Sequence, residues 1–150
     1  MPIALFDPRA TTPPGHWQTI VESAAIRGER FRLHHCLEFV SGMNAAFKED
    51  RVYGIKLERE PDNLFDPHAI RALGFWLEPN GVENFRLIGY LDHEHAARIS
   101  HTVGQATPLA GVLRRIETTS DQTAMPAELL THPVLVVIDV LAAAFGSEAI

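Results

Sequence analysis

Apolar and polar residues alternate through the middle of the chain. Between Val52 and Arg59 the residues Tyr53, Ile55 and Leu57 fall on one side while Lys56 and Glu58 fall on the other, the period-two signature of a half-buried strand. The same period over Phe31, Leu33, His35, Leu37 and Phe39 predicts a first strand, with residues 41–50 as a connection. Further strands are predicted over 69–77, 85–91, 109–118 and 133–142. The last reads Val134-Leu135-Val136-Val137-Ile138-Asp139-Val140-Leu141 and is apolar nearly throughout, so a central or doubly covered position is expected. Two stretches carry helical spacing instead. Trp17, Ile20, Val21, Ala24 and Ala25 line one helical face ahead of Gly28, although Trp17 to Val21 also suits a short strand. Asp92 is placed to cap a helix running to about Val103, with Ala96, Ala97, Ile99 and Val103 inward.

Turn chemistry joins these elements. Glu78-Pro79-Asn80-Gly81 predicts a tight reversal with positive φ at its end. About six strands separated by turns, without regular βαβ alternation, point to a mainly β fold: a small OB-like antiparallel β-barrel with one or two short helices. Residues 1–30 read as an N-terminal arm, rich in proline up to Pro13-Pro14-Gly15, followed by an extra helix. Residues 31–142 read as the barrel and 143–150 as a tail.

Composition narrows the partners. With 150 residues, 46% of them hydrophobic, one domain with a real core is expected. The net charge is −6, with 8 basic and 9 acidic residues in 51–120 but none and 4 in 121–150, which argues against a broad electrostatic grip on duplex DNA. A lone cysteine, Cys36, leaves no internal disulfide and no thiolate zinc cluster. No apolar run approaches the roughly 18 residues of a spanning helix and no secretory leader is legible, so a soluble, cytoplasmic protein without a membrane partner is expected.

The chain from Leu57 to Arg71 is the least ordinary part. Pro61 and Pro67 fix φ, and Asp62, Asn63 and Asp66 bond readily to nearby backbone, so the loop between two strands should be stiff. Arg59-Glu60-Pro61-Asp62-Asn63-Leu64-Phe65-Asp66-Pro67-His68-Ala69-Ile70, read with Ile88-Gly89-Tyr90-Leu91, resembles the HIRAN domain. Its pattern runs R-E-P-x-N-P, then Y or F, then D-x-N-A and I or V, followed farther on by an I-G-aromatic/His-L segment. Leu64 stands where the family usually has proline, His68 where it often has asparagine, and Asp92-His93 where it usually has proline and a Lys or Arg.

The resemblance implies an OB-like barrel that binds the 3′ end of single-stranded DNA, or a DNA junction, in repair or replication. Phe65 would stack on a base and Asp66 would accept from the terminal 3′-hydroxyl, with Tyr90 flanking the pocket. His34 and His35 would stand near the family's backbone-contacting positions, and Arg59 and Arg71 would neutralise phosphates. The alternatives are that Phe65 packs under its loop while Asp66 bonds the backbone of His68, and that the arginines are solvated strand residues. Because of the acidic charge and Asp92-His93, a protein-interaction or regulatory barrel that does not bind DNA is the second reading. A metal-dependent hydrolase or nuclease, with zinc or another divalent ion, is the third. His93-Glu94-His95 would present both rings to one ion only on extended backbone, and no phosphate loop, nucleophile elbow or CxxC is present, so no cofactor and no catalytic residue are expected.

Overall fold

A computed structural model describes residues 14–27, 32–118 and 134–144. The Pro-rich stretch before Pro14, Gly28 and the end of the tail lie outside the described residues. The elements in chain order are β1 (Trp17–Arg27), α1 (Leu33–Lys48), β2 (Tyr53–Arg59), β3 (Ile70–Leu77), β4 (Glu83–Leu91), α2 (His93–Thr102), β5 (Leu109–Thr118) and β6 (Val134–Ala143). All neighbouring strands are antiparallel, and they close into a six-stranded barrel in the order β1-β4-β3-β2-β5-β6. The expected small antiparallel barrel is therefore present, with two helices.

Two elements differ from the sequence reading. In place of the helix expected at Trp17 to Ala25 stands β1, a barrel strand paired with β4 and β6 that contains the alternative strand from Trp17 to Val21. Register shifts between Thr19 and Val21 and between Val21 and Ala24 break its period of two, so its inward residues mimic helical spacing. Ser23 takes a left-handed φ of 53° at the second shift, and its N–H donates to Asp139 Oδ1 at 2.9 Å. That contact, with Arg114 3.4 Å from the other carboxylate oxygen, gives the one charged residue in the apolar run of β6 its partners.

Of the strand expected over Phe31 to Phe39 and the connection after it, Leu33–Lys48 form instead the 16-residue helix α1, and Phe31 lies outside the described residues. Its buried residues Leu33, Cys36, Phe39, Val40, Met43 and Ala46 follow a helical period that continues well past residue 39. Nine residues alone could not separate that period from alternation.

Helix α1 packs across β3 and β4, and two glycines allow it to lie close. Phe39 and Trp76 are buried with ring centroids 6.4 Å apart. A Cβ added at Gly74 would stand 2.6 Å from the Phe39 ring, and one at Gly42 would stand 2.2 Å from the Trp76 ring. Trp76 cannot easily move aside, because its indole N–H donates to Glu78 (2.7 Å) and Arg86 lies over its face at 5.3 Å. Arg86 also pairs with Glu38 of α1 at 3.1 Å, and this contact holds the Glu38 carboxyl below its ordinary pKa. Cys36 donates to the carbonyl of Ile88 at 3.7 Å.

At the β3–β4 hairpin Gly81 has φ 88°, and its N–H donates to Glu78, as the Pro-Asn-Gly reversal predicts. Farther along β4 the register passes from Leu73 opposite Leu87 to Ala72 opposite Gly89, which leaves Ile88 as an extra residue. Gly89, at φ 155°, carries the bend. Ile88 and Leu91 are three apart yet both buried, so the bulge turns Tyr90 out of the core.

Replacing glycine by alanine inside a helix ordinarily stabilises it by about 1 kcal/mol. Gly42→Ala is expected to do the reverse, because overpacking against a held ring costs about 1–3 kcal/mol. Urea denaturation that showed a gain in stability for this variant would contradict the close docking of α1.

Candidate functional site

The loop between β2 and β3 is closed at its base by the pairing of Arg59 with Ile70 and by the Glu60 N–H donating to the Ala69 carbonyl at 2.9 Å. Asn63 holds its interior. Its N–H donates to the Glu60 carbonyl (3.0 Å) and its Nδ2 to Glu60 Oε1 (3.0 Å). Its Oδ1 accepts from the N–H groups of Phe65 (2.9 Å) and Asp66 (3.0 Å). Asp66 repeats the device, with Oδ1 accepting the His68 N–H at 2.9 Å and its carbonyl accepting the Ala69 N–H at 3.0 Å. The loop thus satisfies much of its backbone through its own Asx-type contacts, as its turn residues predict.

Between these two devices the side chains of Leu64 and Phe65 stand free of the barrel, 95% and 99% exposed. The alternative that Phe65 packs under its loop is not what the structure holds; the backbone bond from Asp66 to His68 is present. Single exposed apolar residues are ordinary, but two adjacent ones on a rigid tip form a projecting apolar knuckle.

Asp66 is the hinge of the site's electrostatics. Its Oδ2 lies 2.9 Å from Nδ1 of His93, the first residue of α2. The hydrogen bond from His93 holds the Asp66 carboxyl below its ordinary pKa, the His68 backbone N–H adds to this, and partial burial opposes both. The same contact raises His93, helped by the charges of Asp66, Asp92 and Glu94. The ring of His68 meets that of His101 at a tilt of 54° with centroids 5.5 Å apart, a second contact between loop and helix.

Tyr90 reaches the loop through one intermediary. Its OH donates to Glu60 Oε2 at 3.1 Å, Glu60 holds Asn63, and Arg32 lies 5.4 Å from the Tyr90 ring centroid. Burial first, then the Glu60 carboxylate, raises the phenol pKa. Arg71, opposite Tyr90 in the sheet, is bonded to Glu58, with Glu60 at 3.7 Å.

Arg59 donates through Nη2 to the carbonyls of Gly104 (2.9 Å) and Thr107 (3.1 Å), pinning the turn after α2, while its buried Nη1 has no hydrogen-bond partner. Burial lowers its pKa. Arg59 and Arg71, with Glu60, Pro61, Asp62 and Asn63, line an open cleft of about 370 Å³. Two guanidinium groups and two carboxylates leave it mixed in charge.

The structure therefore draws Phe65, Asp66, Tyr90, Arg59 and Arg71 to one end of the barrel. His34 and His35 do not lie on a strand as expected: they are exposed on α1, where His34 Nε2 is 3.6 Å from Glu38. His93 is the residue that the sequence reading left out of the site. It stood there only as a departure from a family pattern and in a discarded ligand pair, because its partner is 27 positions away. His93 and His95 begin α2, where positions i and i+2 diverge. Among the described residues no group of three His, Cys, Asp or Glu side chains is placed to hold a metal ion. No helix among the described residues is long and apolar enough to cross a membrane.

Comparisons with protein-family models, curated proteins and solved structures found no match to this chain.

The Asp66–His93 contact has a defined pH window. A raised imidazole stabilises the fold below its ordinary pKa, and this contribution is lost as pH rises through the raised value. A depressed carboxyl stabilises above its ordinary pKa, and this is lost as pH falls through the depressed value. The ion pair thus ties loop to helix between the two titrations. In an NMR titration His93 should deprotonate above the ordinary imidazole value, and Asp66→Asn should bring it down; indifference of His93 to that change would dissolve the pair.

Asn63→Ala should speed amide exchange at Phe65 and Asp66 and lower stability by about 1 kcal/mol. Unaltered exchange there would show that Asn63 does not hold the tip.

Proposed function

We propose that this chain is a HIRAN-like module that binds the end of single-stranded DNA, in the setting of repair or replication, without catalysing a reaction. The observation that carries the reading is the Phe65 ring, 99% exposed, beside Asp66 on a loop braced by Asn63. An exposed flat ring offers stacking to any base, and a carboxylate beside it suits a hydroxyl donor better than a phosphate. The Arg59-to-Ile70 motif and the small barrel support the same reading. Neighbouring cations contribute modestly, since Arg71 already faces Glu58 and Glu60, and Arg59 serves the turn after α2.

Fluorescence anisotropy with short oligonucleotides tests it. Oligonucleotides ending in a 3′-hydroxyl should bind more tightly than those ending in a 3′-phosphate near neutral pH, with an affinity that falls as salt rises. Phe65→Ala should cost about 1–3 kcal/mol of that affinity. Equal binding of the two ends, or binding of neither, would remove end recognition.

A second reading is favoured by one further observation. Leu64 is as exposed as Phe65, and an aliphatic side chain gives a nucleobase little to stack on. A protein partner with an apolar pocket would use both. Leu64→Ser, which removes the apolar side chain without adding charge, separates the two readings: it should spare DNA binding if Phe65 works alone, and abolish partner capture if the knuckle works as a pair.

A further inference from the structure

Both oxygens of the Asp66 carboxylate already have one partner each, the His68 N–H and His93 Nδ1. A carboxylate oxygen can accept twice, so room remains for a terminal hydroxyl. A terminal phosphate monoester would bring about −1.5 to −2 charges to the same place. Whether it meets repulsion depends on the charge of His93.

That charge can change without changing the shape of the site. Neutral His93 keeps its contact by carrying its proton on Nδ1, donated to Asp66; the second proton goes to Nε2, across the ring, and the side chain is 73% exposed. The Asp66–His93 unit therefore alternates between one net negative charge and none while the 2.9 Å contact stays in place. The groups facing it are His68 from the loop, with the tilted ring of His101 behind it, and Asp92 and Glu94 from the helix itself. Among the described residues, the leading influences on the two partners are each other and these neighbouring groups. His93 is thus the positive charge nearest Asp66 that a proton can switch.

We propose that His93 determines which chemical end of a strand the Phe65 loop accepts: with His93 neutral, Asp66 selects a hydroxyl terminus, and with His93 protonated the site also admits a phosphate monoester terminus. The inference rests on the end-recognition reading and adds to it a specificity-determining residue. The Asp66 carboxylate favours the imidazolium form, so the change falls above the ordinary imidazole value.

The test measures the affinities of 3′-hydroxyl and 3′-phosphate oligonucleotides at about pH 8 and about pH 6, at constant ionic strength, for the wild-type chain and His93→Gln. The phosphate monoester itself titrates near pH 6, so the variant supplies the reference for that contribution. The preference for hydroxyl should narrow on acidification about threefold to fivefold more in the wild type than in His93→Gln, the effect of one exposed charge pair. Equal narrowing in both proteins, with the hydroxyl end still preferred near pH 8, would overturn the role of His93 and leave end recognition standing. Binding of neither oligonucleotide would overturn both.

Discussion

The fit of α1 against β3 and β4 is the contact on which the rest of the architecture depends. Phe39 occupies the space left by the missing side chain of Gly74, and Trp76 occupies the space left at Gly42, so each surface supplies a ring to the other's gap. Interiors packed this closely tolerate little change in volume. The helix, placed between the first two strands in the chain, covers the part of the sheet that ends at the hairpin. It leaves the opposite end, where β2 hands over to β3, to the loop and to α2. Arg86 ties the two surfaces at their rim by holding Glu38 while lying over Trp76.

At the loop end the organising constraint is different. Little apolar material holds residues 61–68 in place; polar side chains from within the loop do so by accepting its own N–H groups. Such a segment can project an aromatic ring into solvent without losing its shape, since the ring is not needed for packing. The local charges are nearly balanced, with Glu60 beside Arg71 and Asp66 beside His93. Recognition there relies on geometry and on a few hydrogen bonds more than on a field extending into solution.

Much of this could be read from the residues. The strands from Tyr53 onward, α2 and the Pro-Asn-Gly reversal follow from alternation, an apolar face and turn chemistry, all local properties. The two errors came where local pattern and tertiary demand part. In β1 the register shifts near Ile20 and at Ser23, the second held by Asp139, scramble the alternation that would reveal a strand. In α1 a short alternating run happened to match two templates, and packing against Trp76 selected the helix. Misplacing that helix also misplaced His34 and His35. For the site, the stiffness of the loop was legible because proline and asparagine act on their immediate neighbours. The contact between Asp66 and His93 was not, because it exists only once β4 and the turn after it bring the helix start beside the loop.

The extra residue in β4 has a further consequence. By inserting Ile88 and bending at Gly89, the strand resets the phase of its side chains between the stretch that packs under α1 and the stretch beside the loop. Tyr90 thereby occupies a position whose identity the barrel interior does not constrain, bounded by Ile88 and Leu91, which it does. Such an arrangement uncouples the two tasks of the strand: evolution can exchange the ring at this position for another group, and so retune what the adjoining surface recognises, while the fold's packing stays as it is.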